Sequence, residues 1–76
     1  MDWDEFSLIL SRFAKVETVS ASDILFGSGL DISSIAFTEF IMEIEDRFNM
    51  DVPVEDLDAG IKTAGQLFER LQVYTS

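Results

Sequence analysis

Apolar residues recur with a helical period in three stretches of this chain. Trp3, Phe6, Ile9, Leu10 and Phe13 share one face, and Asp2-x-x-Glu5 ahead of them reads as a capping box. This predicts a first helix over Trp3 to Lys15. In the second stretch, Ile35, Phe37, Phe40, Ile41, Ile44 and Phe48 are expected to form the buried side of a helix from about Ser33 to Asn49. Glu39, Glu43 and Asp46, at i, i+4 and i+7, line its exposed stripe, with Arg47 as its single base. The third stretch holds Ala64, Leu67, Phe68, Leu71 and Tyr74 behind a second capping box, Thr63-x-x-Gln66. Val52-Pro53 stops the second helix. Val54-Glu55-Asp56-Leu57 predicts a short extra helix that Ala59-Gly60 breaks. The pattern is all-α, a small bundle of three long helices and one short one.

The connection over residues 17–32 carries Ser20, Ser22, Gly27, Ser28 and Gly29, which is turn chemistry. Within it, Ser22 to Phe26 predicts one short turn of helix. Ile24, Leu25, Phe26 and Leu30 are expected to pin the loop to the core. Loops this long in so small a bundle are usually functional or mobile. This one runs into Gly29-Leu30-Asp31-Ile32-Ser33-Ser34-Ile35. A serine at the mouth of a helix lies beside free backbone N–H groups and the positive end of the helix dipole, an environment that suits a phosphate ester.

Composition narrows the chemistry. The 76 residues fit one domain, 1–76, with no room for a deep enzyme cleft. Cysteine and histidine are both absent, which removes disulfides, thiolate metal sites, catalytic triads and the commonest general base. The carboxylates lie on an exposed stripe, where nothing drives two pKa values apart for acid/base work. Asp56-x-Asp58-x-Gly60 hints at a calcium loop, but its twelfth position is Leu67 rather than a bidentate Glu. Phe26-Gly27-Ser28-Gly29 lacks the Lys and the preceding strand of a phosphate-binding loop. No metal site and no enzymatic activity are expected. Fifteen acidic residues against five basic ones give a net charge of −10, which disfavours nucleic acid and favours basic protein partners. The apolar share of 47% is too high for a disordered acidic tail. No apolar run reaches the ~20 residues of a membrane span. The acidic start is unlike a signal peptide. A cytoplasmic monomer is the expectation.

From Leu30 to Pro53 the chain resembles acyl carrier proteins. That family has a Gly/Asp-Ser-Leu motif, an acidic helix ending Glu-Glu-x-Phe and a short step into Ile-Pro. Here the end reads Glu45-Asp46-Arg47-Phe48-Asn49-Met50-Asp51-Val52-Pro53. Thr63-Ala64-Gly65-Gln66 also looks like the start of the family's last helix. Counting back from Phe48 without a gap places the family's modified serine on Ser34, with Ile35 in place of its leucine. The resemblance implies 4′-phosphopantetheine on Ser34, attached from coenzyme A by a phosphopantetheinyl transferase. It implies acyl intermediates held on that arm as thioesters and delivered to acyl-transferring and synthase enzymes of fatty acid, lipid or polyketide assembly. The family usually has Asp before its serine. Ser33 stands there in this chain, with Asp31 the nearest acid, so Ser33 is the second candidate for attachment. Glu39, Glu43, Glu45 and Asp46 match family carboxylates that face basic docking patches, and Ile35 and Met42 match apolar contacts beside them. Ala36 and Thr38 depart from what is common there, which implies a different choice of partners.

Two alternatives stay open. One is an aminoacyl or peptidyl carrier, which the acidity of the second helix disfavours slightly. The other is an acidic interaction module of the same fold without a prosthetic group. Seven phenylalanines, among them Phe37, Phe40 and Phe48 on the second helix, either fill the space where the family shelters its cargo or simply pack a small core. Filling would imply a short, unusual or poorly sheltered cargo.

Overall fold

The computed structural model describes residues 1–53, 57 and 60–74. Three helices follow one another: α1 (Trp3–Ala14), α2 (Ser34–Phe48) and α3 (Ala64–Gln72). The all-α architecture expected of the pattern is the one found. The short helix expected over 54–57 lies outside the described residues except for Leu57.

Each helix begins where a side chain satisfies its orphan N–H groups. Asp2 accepts from the Glu5 N–H at 2.9 Å while the Glu5 carboxylate accepts from the Asp2 N–H, the expected capping box. Thr63 and Gln66 make the same exchange at the start of α3. Ser33 caps α2, its hydroxyl accepting from the Ala36 N–H at 3.0 Å. α1 and α2 end in left-handed residues, Lys15 and Asn49, whose N–H groups close on Ser11 and Glu45. Both helices are therefore one residue shorter at the cap than the apolar period suggests.

The predicted helical turn at 22–26 is absent. Ser20 and Asp23 instead close a turn on each other, the Ser20 N–H donating to the Asp23 carboxylate at 2.8 Å. The chain then pairs with the segment entering α3. Ile24 and Thr63 form an isolated antiparallel bridge, and the Leu25 N–H donates to the Lys62 carbonyl at 2.9 Å. The N–H groups of Ala64 and Gly65 donate to the carbonyls of Asp23 and Ala21, each at 2.9 Å. The loop thus satisfies donors of the first turn of α3 that no helix can satisfy for itself. Gly65 permits this approach, since a Cβ there would lie 3.0 Å from the Ala21 side chain and carbonyl.

One buried cluster draws on all three helices and the loops. Phe6 and Leu10 of α1, Phe40 and Ile44 of α2, Leu67 and Leu71 of α3 and Leu25 of the loop have no exposed surface. Aromatic rings join the helices: Phe6 meets Phe40 edge-to-face at 5.6 Å, Phe13 meets Phe40 at 5.9 Å, and Phe68 meets both Phe6 and Trp3. Phe40 is consumed by this packing. Of the four loop residues expected to anchor the loop, Leu25 is buried and Leu30 partly so, but Ile24 and Phe26 remain 45% and 41% exposed. Backbone pairing at Ile24 and Leu25, with the ring contact of Phe26 against Phe37, holds that part of the loop. Ile35 also departs from expectation: it is 74% exposed and takes no part in the buried side of α2.

Candidate functional site

Ser33 and Ser34 occupy different positions at the start of α2. Ser33 is the cap, and its hydroxyl is committed to the Ala36 N–H. Ser34 is the first helical residue and is exposed. Among the described residues its hydroxyl has no hydrogen-bond partner, and neither do the N–H groups of Ser34 and Ile35. No acidic residue lies in the first turn to offset the positive end of the helix. An anionic group on the Ser34 oxygen would meet free donors and a favourable dipole. Asp31, three residues earlier, is exposed and holds a left-handed backbone at φ 52°.

From Ser34 a groove runs along α2. Ser34, Phe37, Thr38, Ile41, Met42 and Glu45 line it from the helix, and Phe26, Val52 and Leu57 complete its walls. Its volume is about 430 Å³. These helix positions are i, i+3, i+4, i+7, i+8 and i+11 from Ser34, one face of an α-helix. Phe26, Thr38, Ile41, Val52 and Leu57 were not among the site candidates read from the sequence. For Thr38 and Ile41 the spacing from Ser34 carries the signal, whereas Phe26, Val52 and Leu57 arrive through tertiary packing. The phenylalanines do not fill this space: Phe37 lines it, Phe40 is in the core, and Phe48 packs against the core elsewhere.

The other sequence candidates divide into two sets. Glu39, Met42, Glu43 and Asp46 come together around a second, shallower depression that also touches Phe13. Met42 is 61% exposed and shares both surfaces. Glu43 accepts from the Arg47 guanidinium at 2.8 Å, an exposed i,i+4 pair. Glu45 is turned away from that stripe. It is half-buried, and its carboxylate accepts from the Val52 N–H at 2.9 Å. No helix among the described residues is long and apolar enough to cross a membrane.

An exposed serine thus stands at a helix mouth, with a groove beginning beside it and a carboxylate-rich helix face behind it. The chain matches the family described as the phosphopantetheine attachment site over residues 5–71. It belongs to that family. An acyl carrier protein of Lactobacillus johnsonii is 31% identical over 65 residues, which span 86% of this chain and 80% of that protein. The chain is a member of the acyl carrier protein family. Its fold is similar to that of a solved Mycobacterium tuberculosis chain put forward as an acyl carrier protein, with a TM-score of 0.80 at 22% identity over 92% of this chain and 93% of that one.

Proposed function

We propose that this chain is one carrier domain that holds acyl groups as thioesters on a 4′-phosphopantetheine arm attached to Ser34. The observation that carries this reading is the division of labour between the two serines: Ser33 is spent on capping, and the Ser34 hydroxyl is exposed and unengaged. The residues present fit the group. Ser34 would supply the phosphodiester oxygen, the N–H groups of Ser34 and Ile35, without partners among the described residues, would be available to its phosphate, and the groove beside it offers apolar walls for the cargo. The arm's terminal thiol supplies the acyl-carrying chemistry. Everything else is presentation by the protein. Ile35 and Met42 offer exposed apolar contacts flanked by Glu39, Glu43 and Asp46, and Asp31 lies beyond them. This surface suits basic docking patches on a phosphopantetheinyl transferase and on acyl-transferring and synthase enzymes of fatty acid, lipid or polyketide assembly. Glu45 serves this face less directly than the sequence suggests, because it braces the backbone at Val52.

Incubation with coenzyme A and a broad-specificity phosphopantetheinyl transferase, followed by mass spectrometry, tests the reading. The expected result is the gain of one phosphopantetheine in the natural chain and in Ser33→Ala, and none in Ser34→Ala. A gain that persists in Ser34→Ala overturns the assignment of the serine. No gain with several transferases overturns the carrier reading and leaves an acidic docking module.

A further inference from the structure

The groove under Ser34 is not uniform along its length. At 1.5 Å of rise per residue, the eleven steps from Ser34 to Glu45 span about 16 Å. At the Ser34 end two rings meet: Phe26 from the loop and Phe37 from α2, with centroids 5.3 Å apart and planes inclined at 62°. Phe26 is 41% exposed, and both rings line the groove. Beyond them come Ile41 and Met42, and at the far end stands the Glu45 carboxylate. One of its oxygens holds the Val52 N–H, and the other has no partner among the described residues.

The two ends favour different occupants. Inclined rings at about 4.5–7 Å leave faces and edges onto which a third ring can pack, and a methionine sulfur nearby adds a soft, polarizable contact. A long saturated chain has to pass the ring pair and then lie against the charged end. There it would strip water from the open oxygen of Glu45 and return no hydrogen bond.

We propose that Phe26 and Phe37 at one end of the groove and Glu45 at the other form a cargo filter that admits aryl and short acyl groups and turns away long saturated ones. The inference deepens the carrier reading, in which Ser34 anchors the cargo. Phe26 and Phe37 are specificity-determining residues here, not catalytic ones.

The absence of cysteine from the chain permits a test that needs no transferase. In Ser34→Cys, the single thiol is converted to a mixed disulfide with either a phenethyl or a dodecyl group, using the corresponding methanethiosulfonates. Shelter in the groove is read as the rate of reduction by a phosphine, alongside NMR of the Phe26 and Phe37 rings. The phenethyl disulfide is expected to be reduced about fivefold more slowly than the dodecyl one, with ring resonances of both phenylalanines shifted. In Ser34→Cys with Phe37→Leu, which keeps the site apolar, the phenethyl advantage is expected to vanish. Equal or better shelter for dodecyl with Phe37 in place overturns the filter, as does phenethyl shelter that survives Phe37→Leu. Failure to accept phosphopantetheine in the enzymatic assay would sink the carrier reading without touching this result.

Discussion

The Glu45 carboxylate accepts a hydrogen bond from the backbone N–H of Val52, seven residues further along the chain, at 2.9 Å. It ties the side of α2 to the segment that leaves it, and both residues line the groove under Ser34. Glu45 follows the buried Ile44 and lies one turn beyond the buried Ile41, so it rides the flank of the core rather than the outer stripe. Removing its carboxylate leaves the N–H of the buried Val52 without this partner. Glu45→Ala is therefore expected to cost about 1 kcal/mol, a fall in Tm of about 4–8 °C for a domain this size. Glu39→Ala, which breaks no such bond, is expected to leave Tm nearly unchanged. Thermal unfolding followed by circular dichroism compares the two.

The helices were legible in the amino-acid sequence because their signals are local: capping boxes at Asp2 and Thr63, and apolar periods that land Phe6, Phe40 and Leu67 in the core. A gapless count from Phe48 reaches Ser34, which lies exposed at the first position of α2. Ile35 was read both as part of the buried side of α2, on hydrophobicity, and as an apolar surface contact, through the resemblance; its exposure removes it from the core. It lies five residues before Phe40, about 140° around the helix, which faces it outward. The course of the 17–32 loop was not legible. Its backbone pairs with residues 62–65, some forty positions away, and no local pattern marks that pairing. The groove combines both cases, with α2 positions at helical spacing and Phe26, Val52 and Leu57 brought in by tertiary packing.

The two serines should separate in stability as well as in modification. Ser33→Ala removes the acceptor for the Ala36 N–H and is expected to destabilise the protein by about 1 kcal/mol. Ser34→Ala removes a hydroxyl that bonds to nothing in the described fold, so the expected change is within about 0.5 kcal/mol. Urea unfolding curves at fixed pH measure both. A Ser34→Ala variant as unstable as Ser33→Ala would show that the Ser34 hydroxyl has a structural role.

Gly29 is fixed by close approach of the backbone. The Leu30 N–H donates to the Ile24 carbonyl at 2.6 Å, and a Cβ built on Gly29 would run into that same carbonyl. The obstacle is backbone, so no side-chain rotation relieves it. Gly29→Ala is expected to destabilise by about 1–3 kcal/mol and to shift amide resonances from Ile24 to Ile32. Gly27→Ala has open space for its Cβ, so its cost arises from the positive φ of 72° alone and is expected to be about 1 kcal/mol. Two-dimensional NMR with parallel melting curves separates the two causes.

Arg47 is the only base on α2, and its guanidinium donates twice to one oxygen of Glu43, at 2.8 and 3.2 Å. The pair is half-exposed, so its own contribution to stability is about 0.3–0.5 kcal/mol. Its larger effect is on the field of the proposed docking face, where it cancels one carboxylate of the stripe formed by Glu39, Glu43 and Asp46. Arg47→Ala frees Glu43 and is expected to speed association with a basic partner enzyme several-fold at low ionic strength. The gain should shrink as salt approaches 0.15 M and the screening length falls to about 8 Å. Glu39→Gln and Asp46→Asn should each slow association, with the same salt dependence. With a net charge of −10, added salt should also raise Tm by screening the repulsion among these carboxylates. Stopped-flow association against a phosphopantetheinyl transferase over a salt series checks the rates. An Arg47→Ala rate that does not exceed that of the natural chain at any ionic strength would place the docking contact away from this stripe.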